Sequence, residues 1–204
     1  MSRRAATPSR LSAAQRREQL LDVTKAMVAG RGFHAVSIEA VAREAGVSRP
    51  IVYGHFDDLP GLLEALVLRE SARALRQLEA VLPGDLAAGD ARALLLAGLR
   101  GYLEVVRDDP DTWRLVLMPP EGAPALLRDL LARGRAAVVA RLAEAARPGL
   151  GGGGPSPDPE MTARTLSAVA DDAARLLLTD PDRYPVERLL AHATWVLDQL
   201  GPSR

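Results

Sequence analysis

The sequence has no cysteine, only one lysine among its 26 basic residues, and seven aromatic residues in 204. Without cysteine the chain can form no disulfide, no cysteine-ligated zinc site and no thiol nucleophile, and it suits a reducing cytosol. Its longest apolar runs are a few residues, far short of the roughly 18–20 that cross a bilayer. Its basic N-terminus carries no apolar signal-peptide segment. We therefore expect a cytoplasmic protein with no membrane partner.

Alternating β-branched runs are also nearly absent, whereas Ala, Leu, Arg and Glu, which enter helices at little cost, are abundant. Apolar residues make up 48% of the chain, which is enough for a sizeable core. Glycine and proline divide the sequence into segments, and the predicted fold class is all-α. The predicted helices cover about 12–30, 37–45, a short segment after Ser48, 59–81, a segment around 95–106, then 111–118, 124–146, 158–179 and 185–200.

The most informative segment is 37–57, where two short predicted helices are joined by Ala45-Gly46-Val47-Ser48. This is the length and chemistry of a helix-turn-helix. Gly46 supplies the left-handed conformation of the tight turn, Val47 fills the angle between the helices, and Ser48 caps the second helix. The spacing predicts that four apolar residues form the core of this small domain: Phe33, Val47, Val52 and Phe56.

In a helix-turn-helix the second helix enters the major groove of DNA, with its N-terminal residues facing base edges. Arg49 can form two hydrogen bonds with guanine, and Pro50 and Ile51 offer apolar contact to a thymine methyl. Tyr53 and His55 carry polar tips that can donate to phosphates and so position the protein without reading sequence. The candidate DNA-binding residues of this segment are Ser48, Arg49, Pro50, Ile51, Tyr53, Gly54 and His55.

The same segment resembles the DNA-binding region of the TetR family of transcriptional regulators. The matching residues are Gly32-Phe33, then Ser37-Ile38-x-x-Val41-Ala42-x-x-Ala45-Gly46-Val47-Ser48, then Tyr53-x-His55-Phe56. The resemblance implies an Ω-shaped homodimer, most often a repressor, that binds a palindromic operator and releases it when a small molecule enters the C-terminal region. It also adds Ser37, at the start of the second helix, to the expected phosphate contacts.

The sequence departs from the family pattern at Leu59, followed by Pro60, where the family often has a lysine that reaches phosphate. One backbone anchor is then either missing or replaced by other arginines: Arg3, Arg4, Arg10, Arg16 or Arg17. The alternative is an all-α small-molecule or partner-binding protein whose helix-turn-helix no longer binds DNA. The dependence of DNA affinity on salt would separate the two.

Charge divides the sequence at the end of the motif. Residues 1–56 hold nine Lys and Arg against four Asp and Glu, whereas residues 57–204 hold seventeen against twenty-two. We expect a disordered basic arm at 1–11, a three-helix helix-turn-helix DNA-binding domain at 12–57 and a helical ligand-binding and dimerisation domain at 58–204. The expected partners are double-stranded DNA, a second copy of the chain and a small-molecule effector of unidentified structure.

The C-terminal region offers a candidate cavity along the apolar stripe from Leu95 to Val106. No positive charge stands out on this stripe, so we expect a largely apolar ligand; the same residues equally suit an ordinary bundle core. The candidate ligand-binding residues are Leu99, Tyr102, Leu103, Val106, Trp113, Leu117, Met118 and Leu127. The apolar pair of closing helices suits a four-helix dimer interface. Its candidate residues are Val169, Ala173, Leu176, Leu177, Leu189, Ala193, Val196 and Leu197.

No group of residues stands out for catalysis, for a cofactor or for a metal, so we do not expect an enzyme. Asp108, Asp109 and Asp111 lie together at a helix end, and Asp171-Asp172 are adjacent. Neighbours on a helix do not face each other, so we expect solvated charged faces at both places. The glycine-rich run within 148–158 lacks the preceding strand and following Lys-Ser/Thr of a phosphate-binding loop. It is predicted to be a flexible loop.

Overall fold

The computed structural model describes residues 11–81, 90–148 and 155–200. Within these ranges the chain forms nine α-helices, a short 3₁₀ turn at Phe33–Ala35 and no strand, which confirms the predicted all-α class. None of the described helices is long and apolar enough to cross a membrane. The helices are α1 Ala13–Arg31, α2 Ile38–Glu44, α3 Arg49–Tyr53, α4 Leu59–Val81, α5 Ala91–Asp108, α6 Pro110–Leu117, α7 Ala125–Ala146, α8 Pro159–Thr179 and α9 Val186–Leu200.

Two predictions concern residues that fall largely outside these ranges. All but the last residue of the predicted basic arm at 1–11 lie outside the described residues. The same holds for the central part of the predicted loop at 148–158, from 149 to 154.

Helices α1–α3 form the head of the molecule, and α1 is fixed at both ends by its own sequence. Ser12 accepts a hydrogen bond from the Gln15 amide at 3.2 Å, and the Gln15 side chain accepts one from the Ser12 amide at 2.9 Å. This reciprocal capping box satisfies amides that the helix cannot pair internally. At the other end, Gly32 has a φ of 79°, a left-handed conformation that ends the helix without steric cost. The capped helix buries Leu20 and Leu21 completely.

Helix α4 connects the head to the body, which consists of α4–α9. It has 23 residues and is therefore about 35 Å long. Its first half buries Leu62, Leu66 and Val67 in the core shared with the head. Its second half places Ala74 in a separate core with α5, α6, α8 and α9. One continuous helix thus contributes to both cores. A displacement of the body that tilts α4 therefore also moves the α4 residues on which the head packs.

A buried polar cluster joins α1 to the body, and we call Lys25, Glu70, Asp109 and Thr112 the Lys25 cluster. The Lys25 Nζ lies 3.1 Å from Glu70 Oε2 and 2.9 Å from Asp109 Oδ1, and it donates to Thr112 Oγ1 at 2.6 Å. Thr112 in turn donates to Glu70 Oε2 at 2.6 Å. The Glu70 side chain is 1% exposed and that of Asp109 12%. The prediction that Asp109 belongs to a solvated face is therefore wrong.

The cluster holds its acidic members in the charged form. Burial alone would raise the pKa of Asp109, but hydrogen bonds from Lys25, Gln77 and Arg73 outweigh it and lower the pKa from 3.8 to about 2. Burial would likewise raise the pKa of Glu70, and hydrogen bonds from Thr112 and Lys25 lower it instead. Sequence spacing could not reveal the cluster, because Lys25 and Asp109 are 84 residues apart along the chain.

Replacing Asp109 tests how much the cluster contributes to stability. Asp109→Asn should lower the free energy of unfolding by about 2–3 kcal/mol, because it leaves Lys25 partly uncompensated in a buried site. Urea unfolding at pH 7 measures this. The matched control is Asp108→Asn, because Asp108 is exposed and forms an ion pair with neighbouring Arg107 on the surface. It should change stability by less than about 0.5 kcal/mol.

The same substitution should change the pH dependence of stability. Since the folded-state pKa of Asp109 lies below its ordinary value, its contribution is complete above about pH 4 and is lost as pH falls toward 2. The wild type should therefore lose more stability than Asp109→Asn between pH 5 and pH 2.5. Equal losses in the two proteins, or a control as unstable as Asp109→Asn, would show that the cluster does not stabilise the fold.

Candidate nucleic-acid interface and the adjoining cavity

The turn between α2 and α3 has the geometry of a helix-turn-helix. Gly46 has a φ of 66°, and the Val47 amide donates to the Ala42 carbonyl at 2.9 Å, which closes the turn directly behind α2. Val47 is half-buried against the core of the head, as its predicted place in the angle between the helices requires. The left-handed residue therefore redirects the chain so that α3 leaves α2 at a sharp angle.

Ser48 corrects one detail of the prediction. It stands at the N-cap position of α3, but its hydroxyl makes no capping hydrogen bond. Pro50 has no amide hydrogen to offer, and the Ile51 amide is already bonded to the Ser48 carbonyl at 3.0 Å. Because neither amide remains for the side chain, the hydroxyl of this exposed residue does not cap the helix.

The α3 segment presents one face to the core and one to solvent. Val52 and Phe56 are buried, as predicted, together with Phe33. Tyr53, by contrast, is 47% exposed. The structure places the predicted DNA-binding residues of this segment on the outer surface, all exposed except the half-buried His55: Ser48, Arg49, Pro50, Ile51, Tyr53, Gly54 and His55. An exposed isoleucine and tyrosine on such a short helix have no partner within the described part of the chain that would explain them.

Ser37 lies at the first turn of α2 and is half-buried. Its hydroxyl oxygen accepts a hydrogen bond from the Ala40 amide at 3.1 Å and caps the helix. The hydroxyl hydrogen is not needed for this bond, so it can donate outward to an anion.

Glu39 is a residue of this surface that the sequence prediction missed. Its carboxylate lies 2.9 Å from the guanidinium of Arg49, and both side chains are exposed. The contact joins the first turn of α2 to the first residue of α3 and restricts the directions in which Arg49 can extend. The only sequence signal would have been an acidic residue in the first turn of α2, which alone is uninformative.

The structure shows what Leu59 does in place of the usual lysine. It is half-buried against the core of the head, and the side chain of Asp58 accepts a hydrogen bond from the Gly61 amide at 2.7 Å at the start of α4. The position that could have reached phosphate thus supports packing instead. The Arg17 guanidinium, one of the possible replacements for that lysine, lies 4.9 Å from the centre of the Phe56 ring.

The body encloses a cavity of about 720 Å³ among α4, α5, α6, α7, α8 and α9. Four predicted ligand-binding residues line it: Leu99, Tyr102, Trp113 and Leu117. Leu103, Val106 and Leu127 do not, because they are fully buried in the two cores. Met118 is exposed and borders a separate small cavity of about 120 Å³ beside Lys25. The predicted apolar stripe lies on α5 as expected, but its periodicity could not show which of its residues face the cavity.

The cavity wall is mostly apolar, and its polar residues include a connected group of Tyr102, Asp171 and Arg135. The Tyr102 hydroxyl donates to Asp171 Oδ1 at 3.1 Å, and Arg135 lies 3.0 Å from Asp171 Oδ2. Burial first, and then the nearby Asp171 carboxylate, raises the pKa of Tyr102 well above 10. The expectation that Asp171 lies on a solvated face is therefore wrong. The α5 stripe carries no positive charge, but Arg135 of α7 adds one to the cavity wall.

The closing helices α8 and α9 place their predicted dimer residues in two environments. Leu177 is buried in the core of the body, which corrects its assignment to an outer face. The other seven line the cavity: Val169, Ala173, Leu176, Leu189, Ala193, Val196 and Leu197. Val169 is 61% exposed, and Trp195, which the prediction missed because it lies off the leucine stripe of α9, is 58% exposed.

Comparison with known proteins bears first on the head. A family model described as bacterial regulatory proteins, tetR family, matches residues 20–66, from the middle of α1 into α4. Over 89 residues the chain is 40% identical to the HTH-type transcriptional regulator BetI of Cronobacter sakazakii, a match that covers 44% of each protein. The chain spans about half the length of the curated relatives it matches.

Solved structures match over nearly the whole chain. A structure assigned to a transcriptional regulator of Pseudomonas aeruginosa PAO1 has a TM-score of 0.72 at 25% identity, covering 94% of this chain and 93% of that one. A tetR-family transcriptional regulator of Streptomyces coelicolor has a TM-score of 0.67 at 25% identity, covering 93% of this chain and 82% of that one. The similarity therefore extends from the head into the body.

The fold and the turn define an all-α protein with an N-terminal helix-turn-helix and a helical C-terminal body. Residues 20–66 match the tetR family of bacterial regulatory proteins, and the body is similar to those of solved transcriptional regulators, one of them described as tetR-family. The relatives named above are transcriptional regulators, a role that requires no catalysis.

Two glycines provide a matched test of the turn. Gly46→Ala should destabilise the protein by about 1–2 kcal/mol, because a Cβ is strained at a φ of 66° even though no atom lies within 4 Å. Gly30→Ala, in the last turn of α1 and equally uncrowded, should be neutral or stabilising by up to about 1 kcal/mol. Thermal unfolding measures both changes. If the two substitutions had the same effect, the left-handed turn would not be the constraint that shapes the motif.

Proposed function

We propose that the protein is a DNA-binding transcriptional regulator that acts in the cytoplasm and is released from a palindromic operator by a small, largely apolar molecule. The observation that carries the proposal is the exposed face of α3, which follows a helix-turn-helix turn in the basic part of the chain. Residues 1–56 have an excess of five positive charges and residues 57–204 an equal excess of negative charges. This distribution attracts the head to phosphate and keeps the body away from it.

The proposed roles follow from where each side chain lies. Arg49, held by Glu39 at the start of α3, is placed to read a base, and Pro50 and Ile51 offer apolar contacts beside it. Ser37 and Tyr53 present hydroxyl groups, and His55 a ring nitrogen, for phosphate contact. Gly54 is exposed and has no side chain, so the backbone can approach DNA closely there. The competing proposal is that the protein does not bind DNA, because Leu59 stands where the family often has a lysine that contacts phosphate.

A symmetric dimer is the proposed assembly. Val169 on α8 and Trp195 on α9 are large exposed apolar side chains on the two helices proposed for the interface. A second copy packed against α8 and α9 would cover them and also close the open side of the cavity, since seven residues proposed for the interface line it. Because a two-fold interface presents two identical heads, the matching DNA site is a palindrome whose half-sites lie about one helical turn apart or more.

The cavity is the proposed effector site. Its walls are mostly apolar and include leucines from all six surrounding helices, so a largely apolar molecule would bury itself there. The Tyr102–Asp171–Arg135 group would orient one polar end of such a molecule. Binding would favour a dimer conformation whose α3 helices no longer match the spacing of the half-sites.

Selection of bound sequences from a random DNA pool tests the proposed function. The expected result is enrichment of a palindrome, protected symmetrically in hydroxyl-radical footprinting. If the folded protein enriched no sequence at low salt, the result would support the alternative, a small-molecule or partner-binding protein that does not bind DNA. An enriched site lacking two-fold symmetry would contradict the dimer.

Two substitutions separate base reading from phosphate contact. Arg49→Ala should weaken binding to the selected site by about 1–3 kcal/mol and relax its sequence preference, because a base contact is lost. Tyr53→Phe removes one phosphate donor and should weaken binding to selected and random DNA alike. Fluorescence anisotropy with both DNAs measures the effects. Equal losses on the two DNAs for Arg49→Ala would contradict its role as a base reader.

A further inference from the structure

The cavity and the head are connected by a continuous chain of polar contacts. At the cavity wall, Trp113 packs edge-on against Tyr102 with ring centres 5.2 Å apart, and its indole nitrogen donates to Gln77 Oε1 at 2.9 Å. The Gln77 amide nitrogen donates to Asp109 Oδ2 at 3.0 Å. The other oxygen of Asp109 lies 2.9 Å from Lys25 of α1. Three contacts therefore lead from an aromatic wall of the cavity to the first helix of the head.

We propose that the Lys25 cluster is the joint through which occupation of the cavity repositions the head, with Gln77 as the residue that connects the cavity wall to it. Lys25 and Gln77 are positioning residues in this proposal, because neither touches DNA or the effector. The inference deepens the proposed function and rests on it, since a joint of this kind has a role only if the cavity controls DNA binding.

The geometry of the cluster explains why it would transmit a displacement rather than absorb it. The single ammonium group of Lys25 contacts Glu70 on α4, Asp109 between α5 and α6, and Thr112 on α6. A shift of α6 cannot preserve all these distances unless α1 and α4 move with it. Buried charged groups that lose a partner are strongly disfavoured. The cluster therefore favours a few complete arrangements over partly broken ones.

A second set of contacts extends the cluster along α1. Arg69 donates to Glu70 Oε1 at 2.7 Å and also lies 2.8 Å from Glu18 and 2.9 Å from Asp22, both on α1. Toward the DNA-facing end, the Gln19 side chain donates to the carbonyl of Ala45 at 3.4 Å, beside the glycine of the turn. Rotation of α1 about Lys25 would consequently reach the turn that sets the direction of α3.

Gly134 on α7 allows the cavity to be filled without knowledge of the effector. It lines the cavity, and a Cβ added there would meet no atom within 4 Å. Gly134→Phe is the filled variant, and Gly134→Leu serves if the larger side chain impairs folding. Gly134→Ala is the control, since it also removes the helix-interior glycine but does not fill the space. Circular dichroism confirms folding of each variant.

The first measurement is the affinity of these variants for the selected DNA. We expect Gly134→Phe to bind at least about 10-fold more weakly than Gly134→Ala, within the usual range of allosteric coupling. If every variant binds DNA equally well, cavity control is absent and the joint has no function. If even the wild type binds no DNA, the proposed function itself is wrong, which is a different result.

The second measurement repeats the comparison after the path has been interrupted. Gln77→Met keeps the length of the side chain and removes both hydrogen bonds, and Thr112→Val removes the hydroxyl inside the cluster. In each background the effect of Gly134→Phe should fall below about 3-fold, a non-additivity that only coupled sites show. Thr112→Ser, which keeps the hydroxyl, should restore the full effect.

Hydrogen exchange over residues 13–31 supplies a readout that a merely structural role would not alter. Gly134→Phe should change the protection of α1 amides in the wild-type background and leave them unchanged with Gln77→Met. An undiminished effect of Gly134→Phe on DNA affinity in both interrupted backgrounds would overturn the proposal while leaving cavity control intact. So would failure of Thr112→Ser to restore what Thr112→Val removes.

Discussion

The position of the head depends on one buried cation. The Lys25 ammonium group is surrounded by Glu70, Asp109 and Thr112, and its three partners come from α4, the junction of α5 with α6, and α6 itself. Leu20 and Leu21 of α1 and Leu62 and Leu66 of α4 are fully buried in one core, but apolar contacts are not directional. A buried ion cluster is, because each lost partner leaves an uncompensated charge. The cluster therefore selects one orientation of the head among several that packing alone would allow.

That orientation matters because the head reads DNA, in our proposal, with very few residues. Helix α3 spans only Arg49–Tyr53, so its direction is set by the Gly46 turn and by the core contacts of Val52 and Phe56. The charge distribution acts at longer range, attracting the basic end of the chain to phosphate and repelling the acidic body. Approach and orientation thus arise from different parts of the sequence. Both are required before the short helix can make a specific contact.

The sequence predicted what local chemistry determines. Gly46, the serines at helix starts and the proline breaks indicated the helix boundaries, which the structure reproduces to within a residue or two where a segment was bounded at both ends. Contacts between distant segments were beyond reach. Nothing in the sequence indicates that Lys25 contacts Asp109, and the role of Glu39 becomes visible only from its contact with Arg49. Along α5, periodicity showed an apolar face but could not distinguish Leu99, which lines the cavity, from Leu103, which is sealed in the core. That difference depends on how α7 and α8 approach.

The central claim, that the basic head binds the DNA backbone, is tested most directly by the salt dependence of affinity. Each phosphate neutralised contributes a slope of about −0.9 to a plot of log affinity against log salt concentration. For two heads whose arginines each neutralise a few phosphates, our account predicts a steep negative slope, on the order of −4 or beyond. A slope near zero for DNA selected by the protein would contradict it.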